Sequence, residues 1–322
     1  MQYTNLGRSG LRVSKLCLGT MNFGSFTSEK ESFEIMNRAL ELGINFFDTA
    51  NVYGGKKGAG ITEKIIGKWL EEDKERRDNI VLASKVYGEM GDRVNEKHLS
   101  AYHIKKACED SLKRMKTDHI DLYQMHHVHR ETPWDEIWQA MEQLIREGKI
   151  IYVGSSNFAG WDIATANEEA RRRKLLGLVS EQSKYNLFNR KIEREMIPAC
   201  KYYGVGIIPW SPLEGGLLGG VLKNLNEGRR NSEEIINKLK INREQIEKWE
   251  NFCHEDGEAP ANTALAWLLN QPGVTSPIIG PRTLLQLETS LKAFEIKFTE
   301  ESLSKIDTIF PPAGISPQYY AW

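Results

Sequence analysis

INFFDTANVYGGKKGAGITEKIIGKWLEE (44–72) starts with an apolar run, closes it on polar residues, crosses a glycine-rich loop and finishes with apolar residues at helical spacing. Residues 44–50 form a short apolar stretch that reads as a buried strand, and residues 62–72 carry the spacing of an amphipathic helix. The unit is therefore strand, loop, helix. Before it stands SKLCLGT (14–20), a strand, followed by SEKESFEIMNRALELG (28–43), a helix with a capping Ser28 and a terminating Gly43.

The same alternation continues downstream. NIVLASKV (79–86) precedes SAYHIKKACEDSLKRM, HIDLYQMHH (119–127) precedes WDEIWQAMEQLIREG, and KIIYVGSSN (149–157) precedes GWDIATANEEARRR. LGLVSEQ (176–182) leads to a helix near 190–203, GVGIIPWS (204–211) to a long stretch before NTALAWLLN, and VTSPIIG (274–280) to LLQLETSLKAF. Parallel strands need crossover helices, and eight such units close into an α/β fold of the (β/α)8 TIM-barrel kind. The polar lead-in of about a dozen residues is read as a short N-terminal hairpin. A doubly wound open sheet would carry a GxGxxG or P-loop fingerprint after an early strand, and the sequence has neither. GGKKGAG (54–60) follows a strand that has already ended in a polar residue, so it is read as a loop. Residues 1–322 are expected to form one barrel domain. Residues 211–258, which begin SPLEGGLLGG and turn strongly polar, are expected to be an insertion over the active face that covers a cofactor.

Bulk chemistry narrows the partners. Forty-three Lys and Arg against 44 Asp and Glu leave a net charge of -1, with no general attraction for nucleic acid or anionic lipid, so any anionic ligand must be held locally. The opening MQYTNLGRSG lacks the apolar segment of a signal peptide, and no apolar run approaches the roughly 18 residues of a membrane span. A cytoplasmic location is expected. Cys17, Cys108, Cys200 and Cys253 lack the paired spacing of a zinc ribbon or redox dithiol and are expected to be reduced packing residues.

In a barrel the chemistry comes from the C-terminal ends of different strands. The polar residues closing the apolar runs are Asp48, Lys85, His126, Ser156 with Asn157, Gln182, and Trp210 with Ser211; Tyr53 follows Asp48 in the next loop. Taken singly, each has a structural reading: a loop cap, a solvated strand end, a packing histidine. Together, an acid, a base and an imidazole on consecutive strands would converge on one mouth, where an unpaired charge is costly. A tyrosine is a poor acid at neutral pH, and an adjacent ammonium lowers its pKa. Lys85 can supply that ammonium, Asp48 can keep it charged, and His126 can donate to a carbonyl oxygen beside the Tyr53 hydroxyl. The set lacks an electron-pair donor, which a hydride from a nicotinamide cofactor would provide. HHVH (126–129) suggests metal ligation, but neighbours on a strand point to opposite sides and the companion carboxylates are missing, so no metal is expected.

FFDTANVYG, ASKV, DLYQMHH, GSSNF and IIPWSPL, in this order, resemble the motifs of the aldo-keto reductase superfamily over essentially the whole chain. The resemblance implies a catalytic tetrad at Asp48, Tyr53, Lys85 and His126, and an extended NADPH across the barrel mouth. It implies a carboxamide held by Ser156, Asn157 and Gln182, a nicotinamide ring stacked on Trp210 beside Ser211, and a pocket wall from Gly19, Thr20 and Met21. Leu213, Gly215 and Leu217 match the pyrophosphate loop, and Gly280, Arg282 and Gln286 match the segment that holds the 2′-phosphate and adenine. This sequence departs from the pattern at Gly220, where related members often place a lysine that Arg229 or Arg230 would have to replace. It departs again at Thr289 and Ser290, which stand where an acid and an amide are usual. The implied reaction is reduction of aldehydes or ketones to alcohols, the alternative being a cofactor-binding auxiliary subunit. Phe23, Phe26, Tyr87, His127 and the tail residues Tyr319, Tyr320 and Trp322 are candidate walls for a small carbonyl substrate. The physiological substrate and the oligomeric state are not readable from these features.

Overall fold

The computed structural model describes residues 1–55, 58–223 and 231–321. The lead-in folds as an antiparallel hairpin, β1 (Tyr3–Asn5) with β2 (Arg12–Ser14), in the register Tyr3 to Ser14. Eight parallel strands follow: β3 (Cys17–Gly19), β4 (Phe46–Asp48), β5 (Val81–Val86), β6 (Ile120–Met125), β7 (Ile150–Ser156), β8 (Leu178–Gln182), β9 (Gly206–Ile207) and β10 (Ile278–Ile279). They are ordered β10-β3-β4-β5-β6-β7-β8-β9. The two outer strands meet: the Thr275 amide donates to the Ile207 carbonyl at 2.8 Å and the Ile278 amide to the Pro209 carbonyl at 2.8 Å. The sheet thereby closes on itself and leaves no unpaired edge. This is the (β/α)8 barrel expected from the alternation.

Local chemistry sets the helix ends. Ser28 and Glu31 form a capping box at the start of helix Glu29–Glu41, and Ser100 caps helix Ala101–Met115. Helix Pro260–Leu269 begins with proline at a position where no amide partner is needed. The strands separate two apolar layers. Phe47, Trp69 and Ile66 pack between strands and helices, whereas Phe46, Val81, Ala83 and Leu122 fill the barrel interior. Truncating a fully buried member such as Phe46 to alanine would cost about 3–5 kcal/mol.

The hairpin closes the N-terminal end of the barrel, with Leu6 and Val13 joining the interior cluster. Gly7 makes this possible. Its φ is +53°, and a Cβ there would sit 2.7 Å from the Gly204 carbonyl oxygen and closer still to that of Val179. With that end plugged, the cavity opens at the C-terminal ends of the strands. No helix among the described residues is long and apolar enough to cross a membrane.

The stretch after β9 holds a short turn, Glu214–Gly216, and helices Glu233–Ile241 and Arg243–Glu255. Of its described residues, 211–213, 215 and 216 reach the cavity. The two helices instead bury Leu239, Ile246, Trp249 and Phe252 in side clusters with Leu217, Leu218 and Phe310. Buried Glu214 ties the turn to both neighbours, accepting from Lys184 Nζ at 2.7 Å, Lys238 Nζ at 2.8 Å and Asn186 Nδ2 at 2.8 Å. Burial raises the Glu214 pKa, but these donors outweigh it and hold the carboxyl below its ordinary value.

Candidate active site

Period-two alternation carries polar residues to the top of the barrel interior. On β4, Phe46 faces inward at the bottom and Asp48 at the top; on β5, Val81 and Ala83 lead up to Lys85. Lys85 is completely buried. Its ammonium donates to Asp48 Oδ2 at 2.6 Å, to the Thr49 carbonyl at 2.8 Å and to Tyr53 Oη at 3.2 Å. The other Asp48 oxygen accepts from Gln124 Nε2 at 3.0 Å and Gln182 Nε2 at 2.8 Å. Thr20 fixes the backbone beneath, its hydroxyl and amide both donating to the Asp48 carbonyl. The ion pair thus has the additional hydrogen bonds that a buried charge requires.

The electrostatics differ from the expectation in one respect. Burial is the largest influence on Tyr53 and raises its pKa; Lys85 pulls it down but does not win, so the net shift is upward. Tyr53 is therefore a fully protonated phenol at neutral pH, with an ammonium placed to stabilise the phenolate once the proton leaves. Burial also works to strip the proton from Lys85, but Asp48 and Tyr53 more than offset it and raise its pKa. His126 is pulled down to about 2 by burial, then by Lys85 and His127, so it is a neutral imidazole. Its ring meets Tyr53 edge-on, with centroids 5.8 Å apart.

These groups lie at the base of a cavity of about 500 Å³, within the size range of small-molecule sites. Its wall contains Gly19, Thr20, Met21, Asp48, Tyr53, His126, Ser156, Asn157, Gln182, Trp210, Ser211, Leu213, Gly215, Gly280, Arg282 and Gln286. Two of the expected site residues are not in the wall. Lys85 sits behind Asp48 and Tyr53, and Leu217 points into a side cluster with Val221 and Ile235, its amide held by the Glu214 carbonyl. Asn157 and Ser211 have φ values of 59° and 55°, a costly backbone that gathers here at two strand ends. Trp210 Nε1 donates to Asn157 Oδ1 at 3.1 Å, and Asn157 Nδ2 donates to the His126 carbonyl at 3.2 Å. Asn157 is thus a brace between strand ends.

Several wall residues escaped the sequence reading: Asn22, Pro212, Gly216, Ala261, Asn262, Leu265, Ile278, Ile279 and Pro281. The proline that starts helix Pro260–Leu269 was the available signal for its three. Thr289 and Ser290 also line the wall, so the departures from the usual acid and amide fall inside the pocket. Gly220 lies outside it with φ +85°, a backbone that disfavours the lysine often found there. Lys56, Lys57, Arg229, Arg230 and Trp322 lie outside the described residues.

The expected substrate walls fare unevenly. His127 lines the cavity, and its ring stacks on His126 at 5.2 Å. This corrects the opposite-sides reading of HHVH, because β6 ends at Met125 and alternation no longer applies. Tyr87 stands behind His127, among His98 and His129. Phe23 is fully buried in the core and is not a wall. Tyr319 lies under the Arg194 guanidinium, the tail being tied to Arg194 through Ala313 and Ser316, and neither it nor Tyr320 lines the cavity.

An α/β barrel whose open end holds a buried Lys-Asp pair against a tyrosine defines a class of barrel oxidoreductases. The chain belongs to the Aldo/keto reductase family, whose profile matches residues 15–310. It is 53% identical to "Uncharacterized oxidoreductase YrpG" of Bacillus subtilis (strain 168), over 100% of each chain. It is 33% identical to "Versiconal hemiacetal acetate reductase" of Aspergillus parasiticus, over 98% of this chain and 99% of that one. It is also 33% identical to "Probable voltage-gated potassium channel subunit beta" of Oryza sativa subsp. japonica, over 96% of each. Carbonyl reduction with a nicotinamide coenzyme is the chemistry of the family.

Proposed function

We propose that this chain reduces aldehydes or ketones to alcohols using NADPH, with Tyr53 as the proton donor. The observation that carries the reading is the Lys85 ammonium 3.2 Å from Tyr53 Oη at the base of an open cavity. A bound NADPH would supply the hydride. The protein's own part is to move a proton: Tyr53 Oη gives its proton to the carbonyl oxygen as charge builds there, and Lys85 stabilises the phenolate left behind. Neutral His126 donates a second hydrogen bond to the same oxygen. Solvent then returns a proton to Tyr53.

The wall chemistry fits a dinucleotide. Ser156, Asn157 and the Gln182 carbonyl oxygen would hold the carboxamide, and Trp210 would offer a ring face. Backbone at Ser211, Leu213 and Gly215 would approach the pyrophosphate. Arg282 and Gln286 would hold the adenosine end. For NADPH over NADH the supporting observation is Arg282. Its guanidinium has no carboxylate partner among the described residues, whereas Glu288, the nearby acid, pairs with Arg38 at 2.7 Å. A charge-assisted contact to a 2′-phosphate contributes roughly 1.5–3 kcal/mol, a preference of about tenfold to more than a hundredfold.

The test follows coenzyme absorbance against a panel of carbonyl compounds with the parent and Tyr53→Phe. Turnover by the parent and a loss of about a hundredfold or more in the variant, with NADPH still bound, are expected. Activity within about tenfold of the parent would reject Tyr53 as the acid. NADPH binding without turnover of any compound would favour the auxiliary-subunit role.

A further inference from the structure

Arg282 raises a question that the coenzyme assignment leaves open. A half-buried guanidinium without a carboxylate partner needs something to hold it, or it pays rotamer entropy each time it binds a phosphate. Among the described residues it donates no side-chain hydrogen bond; its backbone amide alone is engaged, by Gln286 Oε1 at 2.9 Å. What faces it is Phe26, whose ring centroid lies 5.8 Å from the guanidinium carbon.

Phe26 is 61% exposed, so its ring is free to present a face to the guanidinium. Its loop is nevertheless tightly built. The Phe26 and Thr27 amides both donate to the Asn22 carbonyl, at 2.8 Å and 3.0 Å, and the Gly24 amide donates to Thr27 at 2.8 Å. Asn22 Nδ2 in turn donates to the Gly280 carbonyl at 2.8 Å, tying this loop to the segment that carries Arg282. Gly280 and Arg282 line the cavity, while Phe26 stands outside it. The earlier reading of Phe26 as a substrate wall is thereby corrected.

We propose that Phe26 is a positioning residue for coenzyme selection: its ring holds the Arg282 guanidinium toward the 2′-phosphate of NADPH. The inference rests on the NADPH reading above. An aromatic face attracts a guanidinium while leaving every N–H donor free, whereas a carboxylate would occupy donors and cancel the charge. The arrangement suits a group that must be held yet remain available to an anion.

The experiment measures binding calorimetrically with the full chain and two probes that differ by a single phosphate, adenosine 2′,5′-bisphosphate and 5′-AMP. Phe26→Ala should weaken the bisphosphate by about twofold to fivefold, the worth of an exposed cation–π contact, and leave 5′-AMP unchanged. Phe26→Trp should restore the difference, and Phe26→Ala added to Arg282→Ala should cost nothing further. Unchanged bisphosphate affinity in Phe26→Ala, or an equal loss for both probes, would overturn the role of Phe26 while leaving Arg282 in place. If Arg282→Ala itself keeps the bisphosphate preference, the coenzyme reading fails and the proposal falls with it. Because Phe26 is exposed, truncating it should leave the fold intact, and the variant's circular dichroism spectrum should match the parent's.

Discussion

Removing either half of the Asp48–Lys85 pair should damage the protein for a different reason than removing both. Lys85→Met leaves a buried carboxylate that still accepts from Gln124 at 3.0 Å and Gln182 at 2.8 Å, so its cost should fall near the low end of the range for breaking a buried pair, about 3 kcal/mol. Asp48→Asn takes the anion away from a fully buried ammonium whose remaining acceptors, the Thr49 carbonyl, the Tyr53 hydroxyl and at best one amide oxygen, are all neutral, and should cost nearer 5 kcal/mol. The double variant carries no unpaired charge. Its loss should fall short of the sum of the singles by about 2–3 kcal/mol. Urea unfolding of all four proteins at one pH gives the cycle, provided the slopes agree. Catalysis separates from stability here, since all three variants should lose it by about a hundredfold or more. Because the folded pKa of Lys85 is raised, the stability it contributes is complete below its ordinary value of 10.5 and is lost only as the pH climbs through the higher folded value. The cycle should therefore read the same across neutral pH. Additive losses, within about 0.5 kcal/mol, would refute the view that the two charges compensate each other.

Two further outcomes are expected. Coenzyme should quench tryptophan fluorescence, and Trp210→Ala should remove most of that quenching and weaken binding; with eight tryptophans in the chain, equal quenching in the variant would assign the effect elsewhere. Glu181 is a buried acid whose pKa burial pushes up to about 7, against hydrogen bonds from Ser155, Ser183 and the Phe158 amide. With the folded value above the ordinary one, the protonated form is favoured by folding. That stability is present at low pH and is lost as the pH rises from the ordinary carboxyl range through about 7, by up to about 3 kcal/mol. Glu181→Gln should flatten the difference between urea midpoints at about pH 5 and about pH 8, and an unchanged pH dependence would exclude Glu181 as its source.

The barrel was legible because its signal is local: each strand is an apolar run closed by a polar residue, and each helix starts or stops on chemistry within a few positions. The same rule brought Asp48, Lys85 and His126 into view. It also contained Gln124, whose side chain turns inward to Asp48 from within β6, but an amide inside an apolar run does not announce chemistry until its partner Asp48, far along the chain, is beside it. Long-range pairing hid other facts for the same reason. That Glu288 answers to Arg38, 250 residues away, and leaves Arg282 without a carboxylate partner among the described residues follows from barrel closure, which no local pattern encodes. Phe23 and Phe26 look alike in sequence and part company only through a turn that buries one and exposes the other. The direction of the Tyr53 shift was missed because a neighbouring charge can be inferred from sequence, whereas the degree of burial cannot.

Gln182 has two faces, one toward the cavity and one donating to Asp48, and this constrains how the pocket can change. Any substitution that alters what Gln182 presents to a ligand also removes a donor from the carboxylate that anchors Lys85. Asn157 is bound in the same way, through Trp210 on one side and the His126 carbonyl on the other. Variation at the inner ring of the mouth is thus pleiotropic: a new ligand contact there arrives together with a disturbed proton donor. Among the described residues, Met21, exposed at the rim, and Thr289, whose hydroxyl bonds to its own helix, carry no such double duty. A selection for altered specificity should therefore accumulate its first changes at rim positions of this kind, and leave the inner ring untouched until compensating pairs arise.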